Sequence, residues 1–361
     1  MSHIRKNDNE RGITLVELMI SLLLFSILAT GTFMALSSQQ QSSRKQSMTT
    51  GLLDSARSTL NALSMQLAGI KSGMPFGVAA LNNVANLPTG VTQCPNLYGT
   101  RPFGMDPAIV APAGTLVPVI EVTNTLGGPD KMRIISPTGS AWGGLTVEVT
   151  PGLTQVDFYT TNGSLPPLSN DDWAMVTDYN NAVLFKLSSD PTNAGCTTPA
   201  PTVCMGKTAG TYTEPATIAV GRTMLGVRWQ LFHVGMFLGR DSLLVDDVTG
   251  TSEPTAIDIE DMQIALGIDG ADGSVPDGII GVENNTGVGL DEWVFNVSGE
   301  TIPVDICNLG NLRAIRITIV ARSSVELEGA KLVVPRIEDR AARGPDGFYR
   351  VILSTTVAVR Q

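Results

Sequence analysis

Residues 13–36 read ITLVELMISLLLFSILATGTFMAL, an apolar run of 24 residues interrupted by one charge, Glu17. As a helix at ~1.5 Å per residue this run spans roughly 36 Å, enough to cross a bilayer with some tilt. A short polar stretch precedes it, residues 1–12, with Arg5, Lys6 and Arg11 set against Asp8 and Glu10. Basic residues ahead of a span hold that end in the cytoplasm, so the rest of the chain lies across the membrane. Three readings of such a start compete. One is a secretory signal cut at a small-x-small site such as Ala29-Thr30-Gly31. Another is a plain single-span anchor. The third places the cut before the run and keeps the run in the mature protein. Glu17 separates them. A carboxylate inside an apolar helix costs ~2.5–3.5 kcal/mol at mid-bilayer on insertion scales and marks function. A signal peptide or a plain anchor has no use for it.

Beyond the run, residues 37–50 (SSQQQSSRKQSMTT) are polar and read as helix continuing out of the membrane. Leu53, Ala56, Leu60, Leu63, Leu67 and Ile70 then recur at spacings of three and four, the stripe of an amphipathic helix. Gly73 and Pro75 supply a stop. The pattern predicts one helix from about Thr14 to Ile70, roughly 85 Å long, with its outer half packed on a head. From residue 73 onward, Gly, Pro, Asn, Asp and Thr punctuate short β-prone runs. With 37 Gly, 21 Pro and only 16% charged residues, turn-rich β structure is the prior. Candidate strands are Val117–Thr123, Lys131–Ser136, Leu145–Val149, Gln155–Tyr159, Ala182–Leu187, Gly226–Val234, Ala314–Arg322 and Tyr349–Val359. In Ala314–Arg322, Ile315, Ile317, Ile319 and Ala321 share one face, and Arg316, Thr318 and Arg322 the other. In the last strand Val351, Leu353, Thr355, Val357 and Val359 lie together. Both strands are expected in one sheet against the long helix. The fold class is α+β, a long N-terminal helix on an antiparallel β head. No internal repeat is evident. The segments are 1–12, a leader; 13–36, the membrane half of the helix; 37–72, its amphipathic half; and 73–361, the head.

Composition excludes several functions. The net charge is −10, with no basic stripe, so nucleic acid is not an expected partner. Only two histidines occur, His3 and His233, and His3 stands in the leader. A histidine-based triad or a multi-histidine metal centre has no material. Enzymatic activity is not expected. His233 reads as a structural strand residue, and Trp142, Trp173, Trp229 and Trp293 as core or rim packing.

The segment Arg11-Gly12-Ile13-Thr14-Leu15-Val16-Glu17-Leu18-Met19-Ile20 closely resembles the prepilin motif of type IV pilins and type II secretion pseudopilins. The resemblance implies cleavage by prepilin peptidase between Gly12 and Ile13 and N-methylation of Ile13. It makes Glu17 the fifth mature residue and assigns it to register in assembly, paired with the N-terminal amine of the same or a neighbouring subunit. A buried charge pair of this kind rewards correct register more than it adds net stability. Family members usually have Phe where this chain has Ile13. They often carry a helix-bending Pro near the end of the apolar run, where this chain has Met34, so less bending is expected there. The segment AIDIEDMQIALGIDGADGSVPDG (256–278), Ile315–Ser323 and the ending Tyr349–Arg360 resemble minor pilins of the PilW type over about 70 residues. That likeness implies a role in priming type IV pilus assembly, at the tip. Its implied partners are other minor pilins, the major pilin, prepilin peptidase, the inner-membrane assembly platform and a tip adhesin. The implied location is the inner membrane with a periplasmic head, then the pilus at the cell surface. The near alternative is a J-like pseudopilin of type II secretion. The alternative of another class is a membrane-anchored or secreted calcium-dependent adhesin. Residues 75–220 match nothing.

Four cysteines, Cys94, Cys196, Cys204 and Cys307, allow three pairings. Export favours oxidation. Cys196 and Cys204 flank a short Pro/Thr loop that closes easily, which leaves Cys94 with Cys307. No C-x-x-C occurs, so zinc is disfavoured. The loop Asp269-Gly-Ala-Asp272-Gly-Ser-Val-Pro-Asp277-Gly is a degenerate calcium-loop match, with Ile268 and Gly270 where ligands should stand. Asp269, Asp272 and Asp277 form a weak calcium candidate; a solvated turn with left-handed glycines is the stronger reading, and no cofactor is expected. The acidic run Asp258, Glu260 and Asp261 reads as a solvated helix start.

Overall fold

The computed structural model describes residues 14–69, 120–125, 127–138, 143–146, 154–160, 165–170, 172–177, 182–196, 202–206, 223–247, 251–272, 275, 277–281, 292–297, 312–326 and 332–359. The chain is α+β: one long N-terminal helix, α1 (Leu15–Gly69), followed by antiparallel strands. α-Helix continues through Met34, as expected without a proline. Residues 1–51 and 52–361 are two compact units. In the first, the apolar residues of the run stand exposed, from Leu15 at 75% to Leu36 at 57%. The run is long and apolar enough to cross a membrane. Several of its hydroxyls bond within the helix: Ser21 Oγ donates to the Glu17 carbonyl and Thr30 Oγ1 to the Ser26 carbonyl, each at 2.8 Å. Such back-bonding within the helix lets Ser and Thr enter lipid at little cost.

The second unit opens with the outer half of α1. Leu52, Ala56, Leu60, Leu63 and Leu67 are buried, the predicted stripe with Leu52 ahead of the half-buried Leu53. Ile70 lies outside the described residues.

The strands are β1 (Ile120–Thr123), β2 (Lys131–Pro137), β3 (Gly143–Leu145), β4 (Gln155–Thr160), β5 (Trp173–Thr177), β6 (Ala182–Lys186), β7 (Thr202–Gly206) and β8 (Thr223–Phe237). There follow β9 (Arg240–Asp246), β10 (Ser252–Ile257), β11 (Ile259–Ile268), β12 (Trp293–Val294), β13 (Leu312–Arg322), β14 (Leu332–Val334), β15 (Arg343–Asp346) and β16 (Arg350–Ala358). The ten strands β1–β10 form one sheet centred on β8, which pairs with β2, β3, β5 and β9. A second sheet has the order β12-β11-β13-β16. β14 and β15 pair with each other.

The helix stripe packs into one core with residues of both large sheets, among them Ile134, Met175, Leu225, Ile264, Ile315, Ile317 and Ile319. Successive residues of β5 face opposite ways: Trp173 and Met175 join this core, while Ala174 and Val176 join a second one with Phe158, Val203 and Met224. Of the strand expected at Leu145–Val149, residues 147–149 lie outside the described residues; the described strand is Gly143–Leu145, where Gly143 packs so close to the Tyr159 carbonyl that a Cβ would stand 1.5 Å from it. β13 has the predicted two-faced pattern, and β16 is its neighbour in continuous register.

Candidate assembly site and the charged seam of the head

Thr14 and Glu17 begin the helix as a reciprocal pair. Glu17 N–H donates to Thr14 Oγ1 at 3.2 Å, and Thr14 N–H donates to Glu17 Oε2 at 3.3 Å. This is a capping box, Thr-x-x-Glu, which satisfies two N–H groups that the first helical turn leaves without partners. The carboxylate also sits at the positive end of the helix dipole. The spacing was present in the motif, but reading Glu17 only as an intramembrane charge missed Thr14. Gly12 and Ile13 lie outside the described residues.

The acidic run after β10 is not a solvated helix start. It is strand β11, and Asp261 is fully buried. Asp258 takes the left-handed conformation (φ 63°) between β10 and β11, accepts from Arg322 N–H at its carbonyl, and is held by the Arg240 guanidinium. Arg350 grips Glu260 through Nε (2.6 Å) and Nη2 (3.1 Å), and Arg343 Nη1 reaches it at 3.0 Å. Arg322 links Glu260 to Asp241 and stacks 4.6 Å over the Phe348 ring. Asp261 meets Arg340, with Arg343 Nη2 at 3.5 Å, and accepts from Gln263 Nε2 at 2.9 Å. A strand can bury such charges because its partners arrive from β13, β16 and the β14–β15 connection, and each carboxylate is paired.

Electrostatics differ along this seam. Burial raises the Glu260 carboxyl, but the Arg350, Arg343 and Arg322 guanidiniums outweigh it and hold the group below its ordinary value. For Asp261, burial wins over Gln263 and Arg340 and the value rises. Asp130, in the connection before β2, is pushed up to about 8, first by burial. Hydrogen bonds from the Thr125 and Ile264 amides oppose this, and the nearby Asp339 and Asp261 charges add to it. Those two amides donate at 2.8 Å each, so Asp130 ties the β1–β2 connection to β11. Arg350 draws the half-buried Asp346 down to about 2.

The acidic loop after β11 is organised around its first carboxylate. Asp269 is fully buried and accepts from Asp277 N–H (2.9 Å) and Gly278 N–H (2.7 Å). It also pairs with Arg313 Nη2 at 3.1 Å. Gly270 and Gly278 take the left-handed conformation that only glycine adopts freely. Asp272 and Asp277 are exposed. Among the described residues no group of three His, Cys, Asp or Glu could hold a metal. Cys196 and Cys204 form a disulfide, Cα atoms 5.4 Å apart; Cys94 and Cys307 lie outside the described residues. His233 on β8 places Nε2 3.0 Å from Asp246 Oδ2 on β9. Trp173 and Trp293 are buried, and nothing is described of Trp142 or of the Trp229 side chain.

Residues 7–33 match the profile of the prokaryotic N-terminal methylation motif. The match takes in residues 7–12, Thr14, Glu17 and most of the apolar run. It supports a pilin-like N-terminus of the type IV prepilin kind, processed by prepilin peptidase, and the apolar helix fits an inner-membrane anchor. No curated protein and no solved structure matches the chain.

Proposed function

We propose that this chain is a minor pilin of the PilW type that primes type IV pilus assembly and sits at the filament tip. The observation that carries this reading is Glu17 in a Thr-x-x-Glu cap at the start of an exposed apolar helix, within a methylation motif. Cleavage after Gly12 leaves Ile13 as the N-methylated first residue. The helix holds the subunit in the inner membrane until extraction, and Glu17 sets register against its neighbours. The head supplies lateral contacts to other minor pilins and the major pilin, and a surface for a tip adhesin, without a resident cofactor. The assembly platform is the remaining partner. In support of the PilW type, its C-terminal likeness falls on β11, β13 and β16, the strands that build the charged seam.

The test is a strain lacking this chain, complemented with wild type or with Glu17→Ala. The reading predicts that surface filaments are lost, that wild type restores them, and that Glu17→Ala does not although the protein is made and cleaved. Normal filaments with failed export of type II secretion substrates would assign the chain to the secretion machine instead.

A further inference from the structure

Among the strands that end the two large sheets with one paired side, β10 and β16 are built differently. β10 carries Glu253, Pro254 and a register shift between Pro254 and Ala256, three devices that spoil an edge for further pairing. β16 has none of them. Its register with β13 runs unbroken from Arg350 to Ala358, and no proline or charge stands between Val351 and Ala358. Val359 N–H donates to the Arg313 carbonyl, and the Tyr349 carbonyl accepts from Ser323 N–H. Odd-numbered residues of the strand therefore bond to β13. By the alternation of an antiparallel ladder, the backbone groups of Ile352, Ser354, Thr356 and Ala358 point to the other side, where no strand pairs among the described residues. The strand is also thinly covered: Ser354, Thr356 and Ala358 are exposed, and the core-facing Leu353 and Val357 are only half-buried.

A pocket of about 490 Å3 lies on the outer face of the same strand pair, lined by Arg316, Thr318, Arg336, Glu338, Ile352 and Ser354 among others. Glu338 is neutralised there by Arg316, through Nε at 2.8 Å and Nη2 at 2.6 Å. Arg336 is held by two neutral carbonyls, Glu338 O and Asn296 O, at 2.9 Å each. Arg336 makes no direct ion pair among the described residues: Glu338 is taken by Arg316, and the nearby Asp339 carboxylate, which feels the Arg336 charge, accepts instead from Asn124. A guanidinium fixed in this way keeps donors for one more acceptor, and a carboxylate suits its fork. Glu338 (φ 50°) and Phe295 (φ 70°), next to the lining residue Asn296, both hold left-handed backbone conformations. Strain of this kind collects at ligand clamps.

We propose that the open edge of β16 accepts an extended strand from a neighbouring filament subunit, and that an acidic side chain of that strand enters the pocket and pairs with Arg336. Main-chain bonds to the even-numbered residues supply the affinity, and the pocket supplies the choice of side chain. The identity of the occupant rests on the filament-subunit reading; the edge and the pocket do not.

The test uses the full chain in detergent and a nine-residue peptide of alternating Thr and Val with a central Glu, beside its Gln counterpart. Amide exchange resolved to single residues should slow by about tenfold or more at Ile352, Ser354, Thr356 and Ala358, and stay unchanged at the odd-numbered positions. The Gln peptide should bind about tenfold more weakly, and Arg336→Gln should erase that difference. Thr356→Pro removes an outward N–H and no bond to β13, so it should abolish binding while the circular dichroism of the head is kept. Exchange at the four even-numbered amides that the peptide leaves unchanged, or that is already slow without it, overturns the open edge. Equal affinity for the two peptides overturns the role of Arg336. The mass of the mature N-terminus judges the pilin reading separately.

Discussion

Glu17 and Asp261 are both carboxylates among apolar residues, and the fold treats them in opposite ways. Asp261 is fully buried and completed within the head by Arg340, Arg343 and Gln263. Glu17 stands exposed on the helix, and among the described residues its carboxylate bonds to Thr14 alone. The first is part of a finished structure. The second is a charge that a low-dielectric environment would leave incomplete, and on the proposed reading its counter-charge comes with assembly. On that reading the difference separates a residue that builds the subunit from one that joins subunits.

The largest expected effect falls on the finished side. Asp261→Ala leaves Arg340 in the seam without its carboxylate, and should destabilise the head by about 3–5 kcal/mol, read from urea unfolding of the detergent-solubilised chain. Next is the helix stripe. Leu63 is fully buried, and Leu63→Ala should cost about 2–5 kcal/mol in the same assay through lost burial and a residual cavity.

Asp130 sharpens the comparison by pH. Its value in the folded chain is raised to about 8 from 3.8, so the folded state binds the proton more tightly than the unfolded one. That contribution is fully present below about pH 4 and is lost as pH rises through about 8, at no more than roughly 1.4 kcal/mol per pH unit. Asp130→Asn should flatten the fall in stability across this window, measured as urea midpoints at a series of pH values. The smallest effect on stability is expected at Glu17. Glu17→Gln should shift the unfolding midpoint of the head by less than about 0.5 kcal/mol yet abolish incorporation into filaments, scored by shearing and blotting. A Glu17→Gln head that unfolds early would break the division between the two carboxylates.

Much of this was legible in the residues. The apolar run, the three-four stripe of Ala56, Leu60, Leu63 and Leu67, and the alternation of Ile315, Ile317 and Ile319 each follow one period, and each element formed as that period requires. The Cys196–Cys204 loop closed because its ends are near in sequence. The acidic run was misread because Asp258, Glu260 and Asp261 look solvated when only neighbours in sequence are considered. Arg343 and Arg350, which pair with Glu260 and Asp261, stand more than 80 residues away. The cluster Arg336, Arg340, Arg343 and Arg350 was the available signal: four cations near a chain end that also supplies core strands. β5 escaped notice because WAMVT is apolar on both faces, and a strand buried between two cores does not alternate.

The measurement that tests the central claim most directly is the N-terminal residue and intact mass of the mature protein from native membranes. The account predicts a chain that begins at N-methylated Ile13, with Thr14 and Glu17 in its first turn. A start near Thr32, or an uncut chain beginning at Met1 or Ser2, would contradict it.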